Sequence, residues 1–543
     1  MHTHLHRRTR IAFLCAAFAC FAGTGETRAQ YDPPASYYSS INSQTGSALQ
    51  SQLRTIVSNM TGVNYGDARF SAPTTDADPN APGNILLIYN RASVSGTWDG
   101  GATWNREHVW PDSRLGAGNN DPSNTYVGPA SDQFNLRPCN PSINSSRSNT
   151  PYGPDNGTGA NGYQGGLYYP GNADAGDVAR GLFYMATRYS TLSLVDSSSP
   201  TGTQMGDLSA LLRFHYRDVP DAFERRRNHA IYGLAGENSP AISNSYRQQN
   251  RNPYVDRPEY AWSVFADQQN DTQLSVGAAD ANGGSSANVN LGRVLRNAPL
   301  PAPQNVTLNK AGVDGTYYSV STTGAATSSV TGRYNAFAMD SAGSRTMSVG
   351  LNSSTATAGL KSGSVVIDNL DVTTQGGAGR GANDANDVVN VSLSVLDPSN
   401  PSFDTTDTDA LLIDFGSVQA GAPSAPTNFS IHNLASSLGA SLTAGLDLDS
   451  IVPSGDTGRF TLNLGSFTNL AATTSQAGSV IFDTTMPGSF SATYTLHLSD
   501  ENLPGTIQTS ELTLNVIGTV VPEPTSLLGV CVVGLLLRRS RAR

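Results

Sequence analysis

The stretch Trp104-Asn105-Arg106-Glu107-His108-Val109-Trp110-Pro111 sets a carboxylate and an imidazole side by side between aromatic residues. The glutamate offers a hard oxygen ligand. The histidine offers a base whose ordinary pKa, about 6.5, lets it take a proton at neutral pH. An adjacent Glu-His pair arises often by chance, so its surroundings decide what it means. About 30 residues later come Asp132-Gln-Phe-Asn135-Leu-Arg137-Pro138 and then Ile143-Asn144-Ser-Ser-Arg147-Ser-Asn149. Amides and arginines are packed there around few apolar residues. Amide and carboxylate oxygens suit Mg²⁺ or Ca²⁺, and arginines hold phosphate. As plain local structure, Asn135, Asn144 and Asn149 are turn residues, a place asparagine often takes.

Outward from this stretch the first half mixes helices with irregular segments. Gly46–Met60 carries Leu49, Leu53, Ile56, Val57 and Met60 at helical spacing, and Asp177–Tyr189 does the same with Val178, Leu182, Met185 and Tyr189. Pro220–Ile231 predicts a third helix, with Asp221 in its first turn. The apolar run Gly83–Tyr89 reads as a buried strand, and the polar stretch Asn140–Gly166 as loop. From Gly277 to Pro303 the chain turns to Gly, Ala, Ser and Asn, the composition of a linker. Beyond it, alternating runs such as Ser364–Ile367, Val388–Val395, Phe460–Leu464, Ser479–Phe482, Ala492–Leu498 and Leu512–Ile517 predict an all-β region. Gly363-Ser-Val-Val-Ile-Asp368 recurs as Gly478-Ser-Val-Ile-Phe-Asp483, each followed by a second alternating run, which suggests two sandwich modules.

The net charge of −10 argues at first against a polyanionic partner. It is unevenly spread, however. Residues 30–300 hold 19 Arg and no Lys against 23 acids, whereas 301–524 hold 6 bases against 19 acids. Guanidinium is the better bidentate partner of phosphate, so an all-Arg first half leaves nucleic acid open as a ligand. Of the four cysteines, only Cys139 lies outside the two terminal segments, which excludes a disulfide framework. Arg7, Arg8 and Arg10 before the apolar Ile11–Ala22 read as a secretory signal peptide. At the other end, Val521-Pro522-Glu523-Pro524, the apolar Leu527–Leu537 and an Arg cluster follow in order. That tail resembles the PEP-CTERM sorting tails of exported bacterial proteins, which implies a membrane sorting enzyme as partner and at least transient membrane anchoring at the cell surface.

The first half resembles the bacterial endonuclease I family from about Tyr37 to Tyr260. The resemblance rests on several segments in the family's order: Asn105–Pro111, Asn135–Pro138 with Asn144 and Arg147–Asn149, Gly176–Met185 with Arg188-Tyr189, Glu224 with Arg227-Asn228, and Gln249–Asp256 with Pro258-Glu259. It implies a ββα-metal finger, with His108 as the general base that deprotonates water and with Glu107 and Asn144 holding a divalent cation, Mg²⁺ or alternatively Ca²⁺ or Mn²⁺. It also implies an arginine on the phosphate, for which Arg137, Arg147 and Arg114 are candidates in that order. Asn135 is expected to position His108 by a hydrogen bond.

The sequence thus predicts a multidomain chain: an α+β nuclease domain with a ββα-metal finger, then all-β sandwich-like modules. The expected divisions are a signal peptide over 1–29, the nuclease over 30–275, a linker over 276–303, modules over 304–410 and 411–520, and the sorting tail over 521–543. The linker implies that the nuclease folds by itself. The expected activity is hydrolysis of DNA or RNA. Two other readings stand beside it, a nonenzymatic surface protein with a nuclease-like binding module and a phosphodiesterase with another substrate.

Overall fold

The computed structural model describes residues 31–42, 45–116, 118, 121–233, 246–266, 268–280, 282–371 and 384–523. The expected signal peptide and the tail from Pro524 onward lie outside the described residues, as do residues 234–245. Among the described residues no helix is long and apolar enough to cross a membrane.

The first domain is built around the helix Ala175–Arg188, in which every residue from Ala175 to Thr187 is buried. A helix covered on all sides needs neighbours on all sides. Gly46–Ser58 supplies one, turning Leu49, Leu53 and Val57 inward, and Leu208–Arg217 supplies another. Ala222–Tyr232 starts at Asp221, whose carboxylate accepts the Glu224 amide at 2.8 Å. Asp221 is therefore the cap of that helix and lies just outside its first turn. Gly233, at φ 66°, ends it in the left-handed conformation that glycine adopts without steric cost.

The Glu-His stretch forms a short strand, Asn105–His108, antiparallel to Leu136–Cys139, with Glu107 opposite Arg137 and His108 opposite Leu136. One residue on, the chain enters a helix, Pro141–Arg147. The Asn140 side chain accepts from the amides of Ser142 and Ile143, and Pro141 arrives with its φ already fixed for a helix. The stretch read as loop from Asn140 thus begins with two helical turns, too short to show a periodicity. Two strands and a helix in this order make the expected ββα unit.

The second half is all β, as expected, in two modules. The first pairs a five-stranded sheet with a four-stranded one, and the second pairs two four-stranded sheets. Alternation of buried and exposed residues is nearly unbroken along Gly488–Asp500 and Thr509–Val521, so every second side chain enters the core. Each module has its first long strand parallel to its last one: Ser286–Leu295 beside Asp387–Leu396, and Ala410–Gln419 beside Thr509–Val521. Both of these first long strands break register at one device. The Asn290 side chain accepts the Gly292 amide at 2.9 Å, the Asp414 side chain accepts the Gly416 amide at 2.7 Å, and both glycines have positive φ.

Two sequence readings need correction. The residues 276–303 are no linker, because Ser286–Leu295 is a strand of the five-stranded sheet, with Val289, Leu291 and Val294 in the module's core. Its Gly and Asn serve strand, bulge and turn instead of chain flexibility. The first module accordingly runs from the strand Gln273–Ser275 to Leu396, and the second starts before residue 411, at Pro401–Ser402. The repeat Gly363–Asp368/Gly478–Asp483 pairs inequivalent strands. The first copy borders its module's last strand, whereas the second lies in the opposite sheet. The Asn290-Leu-Gly292/Asp414-Phe-Gly416 bulges mark the equivalent positions.

The first module is docked on the first domain. Tyr216 and Trp262 share a buried cluster with Tyr317 and Ala336. The Tyr317 hydroxyl donates to the His215 carbonyl at 2.6 Å, and the Tyr216 hydroxyl donates to Asp371 at 3.0 Å. Arg333 pairs with Glu259 across the same seam.

Candidate active site

On the first finger strand successive side chains point to opposite faces. Glu107 turns inward and is 1% exposed, while Arg106 and His108, two residues apart, share the more open face. Burial alone pushes the Glu107 carboxyl up from its ordinary range, and the Arg147 guanidinium and the Tyr89 hydroxyl oppose that. Both act on one oxygen. Oε1 accepts from Tyr89 at 2.6 Å and from Arg147 at 3.1 Å. Oε2 has no protein partner among the described residues.

Arg147 is fully buried at the end of the finger helix. Besides Glu107 it donates to the carbonyls of His108 (3.0 Å) and Val109 (2.9 Å), and it packs over the Tyr152 ring. Arg137 is 5% exposed and sits between Asp76 (2.9 Å) and Asp177 (3.3 Å). Both guanidiniums are buried and already paired with carboxylates, at odds with the expectation of a phosphate contact through Arg137 or Arg147. Arg114 donates to the carbonyls of Asn149 and Pro200. Asn135 also differs from expectation. Its amide clamps the backbone of Trp110, accepting the N–H at 2.6 Å and donating to the carbonyl at 3.1 Å. It holds the chain after His108 and leaves the imidazole alone.

The imidazole has another anchor. Its Nε2 lies 2.9 Å from the Ala130 carbonyl. A carbonyl can only accept, so Nε2 carries the proton in the neutral ring and Nδ1 keeps the lone pair. Nδ1 has no protein partner among the described residues. Burial lowers the His108 pKa, which favours the neutral, basic form. The Tyr65 ring lies parallel to the imidazole, at 9° and 5.4 Å between centroids.

Asn144, midway along the finger helix, donates through Nδ2 to Asn105 Oδ1 (2.8 Å) and to the Arg106 carbonyl (3.3 Å). Those bonds fix which end of the amide is oxygen, and that oxygen has no protein partner among the described residues. Among the described residues no three His, Cys, Asp or Glu side chains converge as a metal cluster. The expected pair is one carboxylate and one amide, and each presents an oxygen without a partner on adjoining elements of the finger. This donor set fits a hard divalent cation that keeps most of its positions for water and substrate.

The sequence reading missed Tyr89, Tyr152 and Tyr65. Tyr89, at φ 77°, is held in a conformation that bulky residues rarely adopt, with its amide bonded to Asp174 at 2.8 Å. This places its hydroxyl on Glu107 and 2.7 Å from that of Tyr152. These tyrosines lie 18 and more residues from their partners, and nothing in the local pattern marks them.

Residues 45–259 match the family model described as Endonuclease I. An extracellular ribonuclease of Bacillus amyloliquefaciens is 36% identical over 244 residues, covering 42% of this chain and 78% of that protein. An extracellular ribonuclease of Bacillus subtilis (strain 168) is 36% identical over 252 residues, covering 44% of this chain and 81% of that protein.

Proposed function

This chain belongs to the endonuclease I family, and from that premise we propose that it is an exported, divalent-metal-dependent endonuclease hydrolysing phosphodiester bonds of nucleic acid. The observation that carries the reading is the His108 tautomer: Nε2–H spent on the Ala130 carbonyl and Nδ1 open. In the reaction Nδ1 takes a proton from the attacking water, and the Ala130 carbonyl stabilises the imidazolium that forms. Glu107 Oε2 and Asn144 Oδ1 hold the cation, Mg²⁺ or in its place Ca²⁺ or Mn²⁺. When bound, such a cation neutralises charge gathering on the phosphate oxygens. Arg147 and Tyr89 keep Glu107 in place from behind by occupying Oε1, and Asn135 fixes the turn that follows His108.

Export and work outside the cytoplasm are supported by the signal-like N-terminus and by the names of the two bacillary relatives. Those names also put RNA first among substrates. The tail Val521–Arg543 holds the chain at the membrane until a sorting enzyme acts. The test is to incubate the purified full chain with RNA and with plasmid DNA, in Mg²⁺ or in EDTA. Cleavage of either polymer that EDTA abolishes is the expected result. Intact polymers in Mg²⁺ would sink the reading.

A further inference from the structure

The arginines buried in the first domain are matched with carboxylates. Arg137, Arg147, Arg180, Arg227 and Arg251 all have such partners. Arg106, partly buried, does not, and in this it is like Arg114, whose guanidinium donates to backbone carbonyls away from His108. Among the described residues the Arg106 guanidinium meets only oxygens that bear no formal charge, the Tyr65 carbonyl at 2.9 Å and Asn124 Oδ1 at 3.4 Å. It lies over aromatic rings, with Cζ 3.8 Å from the Tyr65 centroid and 5.4 Å from that of Trp98. Arg69 lies near enough to add to the positive field there. A partly buried guanidinium without a counter-ion is costly unless an anion completes it. Strand alternation puts this one on the same face as His108, and a single ring, Tyr65, stacks on both.

We propose that Arg106, carried on the Tyr65 ring beside His108, is the cation that holds a phosphodiester of the substrate at this site, and that Tyr65 positions guanidinium and imidazole together. The proposal rests on the nuclease reading above but names a residue outside the general base and metal ligands. The anion is a backbone phosphate, because planar guanidinium matches its paired oxygens and because contact with the backbone does not depend on base identity. The aromatic faces serve two ends. They fix the guanidinium plane by cation–π contact, and they leave its remaining N–H groups free for the incoming anion. The Tyr65 hydroxyl has no protein partner among the described residues, so the ring does its work through its face.

The test uses the full chain. In a His108→Ala background, binding of a labelled RNA or DNA oligonucleotide is measured against KCl concentration, with and without Arg106→Gln. Removing one phosphate contact should lower the slope of log Kd against log salt by about 0.7–0.9. With His108 intact, Arg106→Gln should raise KM about tenfold and leave kcat within about threefold, because the contact is made in substrate and transition state alike. Arg106→Lys should restore the salt slope, since the charge is kept. Tyr65→Leu should raise KM and also move the acid limb of kcat/KM, and Tyr65→Phe should rescue both. An unchanged salt slope in Arg106→Gln overturns the phosphate contact, and failure of Tyr65→Phe to rescue overturns positioning by the ring. The binding slope reads Arg106 whether or not the chain cleaves, so a wild type without activity sinks the nuclease reading and not this one.

Discussion

The finger domain and the second β module hold themselves together by opposite means. Inside the first, Arg227 shares Asp76 with Arg137 (3.0 and 2.9 Å), Arg180 meets Glu224 at 2.6 Å, and Arg251 meets Asp256 at 2.7 Å, all with little exposure. In the second module, Leu446, Leu496, Leu498, Leu512, Leu514 and Val516 fill the core at 0% exposure, and the Arg459–Asp483 ion pair and the His497–Glu511 contact lie toward solvent. A buried ion pair loses much of its attraction to desolvation, whereas apolar burial stabilises directly. The finger domain therefore spends stability on orientation, as when Arg147 leaves Glu107 one free oxygen facing one way. The second module's core rests on apolar packing, and its buried polar groups, such as Asn433 and Asp500, hold strand ends and turns.

The largest test removes the seam between the halves. A fragment of residues 31–300 lacks Tyr317 and Ala336 from the shared cluster and leaves Ser286–Leu295 without its partner strand. It should be insoluble or inactive, whereas 31–397 should cleave like the full chain. A soluble, active 31–300 fragment would restore the separable nuclease implied by composition. Next in size is His108→Ala, which should lower kcat by about 10²–10⁴ while far-UV circular dichroism and melting stay near wild type. Arg147→Met follows. It leaves Glu107 buried without its cation and should cost about 3–5 kcal/mol in urea unfolding as well as activity. Its counterpart in the second module, Leu514→Ala, should cost about 2–5 kcal/mol in that module's transition and leave kcat/KM unchanged. Loss of activity in Leu514→Ala would show that the modules are not passive.

The smallest effect is in pH. Burial lowers the His108 pKa, so the base stays neutral below the ordinary value of about 6.5. Burial raises the Glu107 pKa, so its carboxylate protonates above the ordinary glutamate value of about 4.3 as the pH falls. The step of the acid limb of kcat/KM that belongs to His108 should therefore lie below the ordinary histidine value, and the step should vanish from the residual activity of His108→Ala. A His108 step above the ordinary value would mean that the imidazolium is stabilised, against the effect of burial.

Part of the finger was legible, in the adjacent Glu107 and His108 and in the order of its segments, and the helices at 46 and 175 announce themselves by apolar spacing, whereas the short helix after Asn140 lay hidden in a stretch read as loop. The arginines were less so. Arg137 and Arg147 read as phosphate ligands because a sequence shows a charge and not its depth, and only the fold surrounds them with Asp76, Asp177 and Glu107. Arg106 is the reverse case, since its place beside the Glu-His pair shows in the sequence and its lack of a carboxylate only in the fold. The linker failed for a related reason. Gly, Ser and Asn mark flexible chain and β-bulge alike, and the difference is whether a partner strand arrives, here from Asp387–Leu396 about a hundred residues away.

By itself the sequence determined what depends on neighbours along the chain: the amphipathic helices, the alternating strands, the adjacent carboxylate and imidazole, the single cysteine between the two terminal segments, and the acidic bias of the second half. Tertiary structure alone decided which oxygen of Glu107 is free, which nitrogen of His108 is basic, that Arg106 lies beside His108 without a carboxylate, and that the first β module is seated on the catalytic domain. Each of these turns on contacts between distant residues. Hydrogen bonds, desolvation and counter-ions act over a few ångströms of space, and the chain brings Tyr65, Tyr89, Ala130 and Arg147 within that range only by folding.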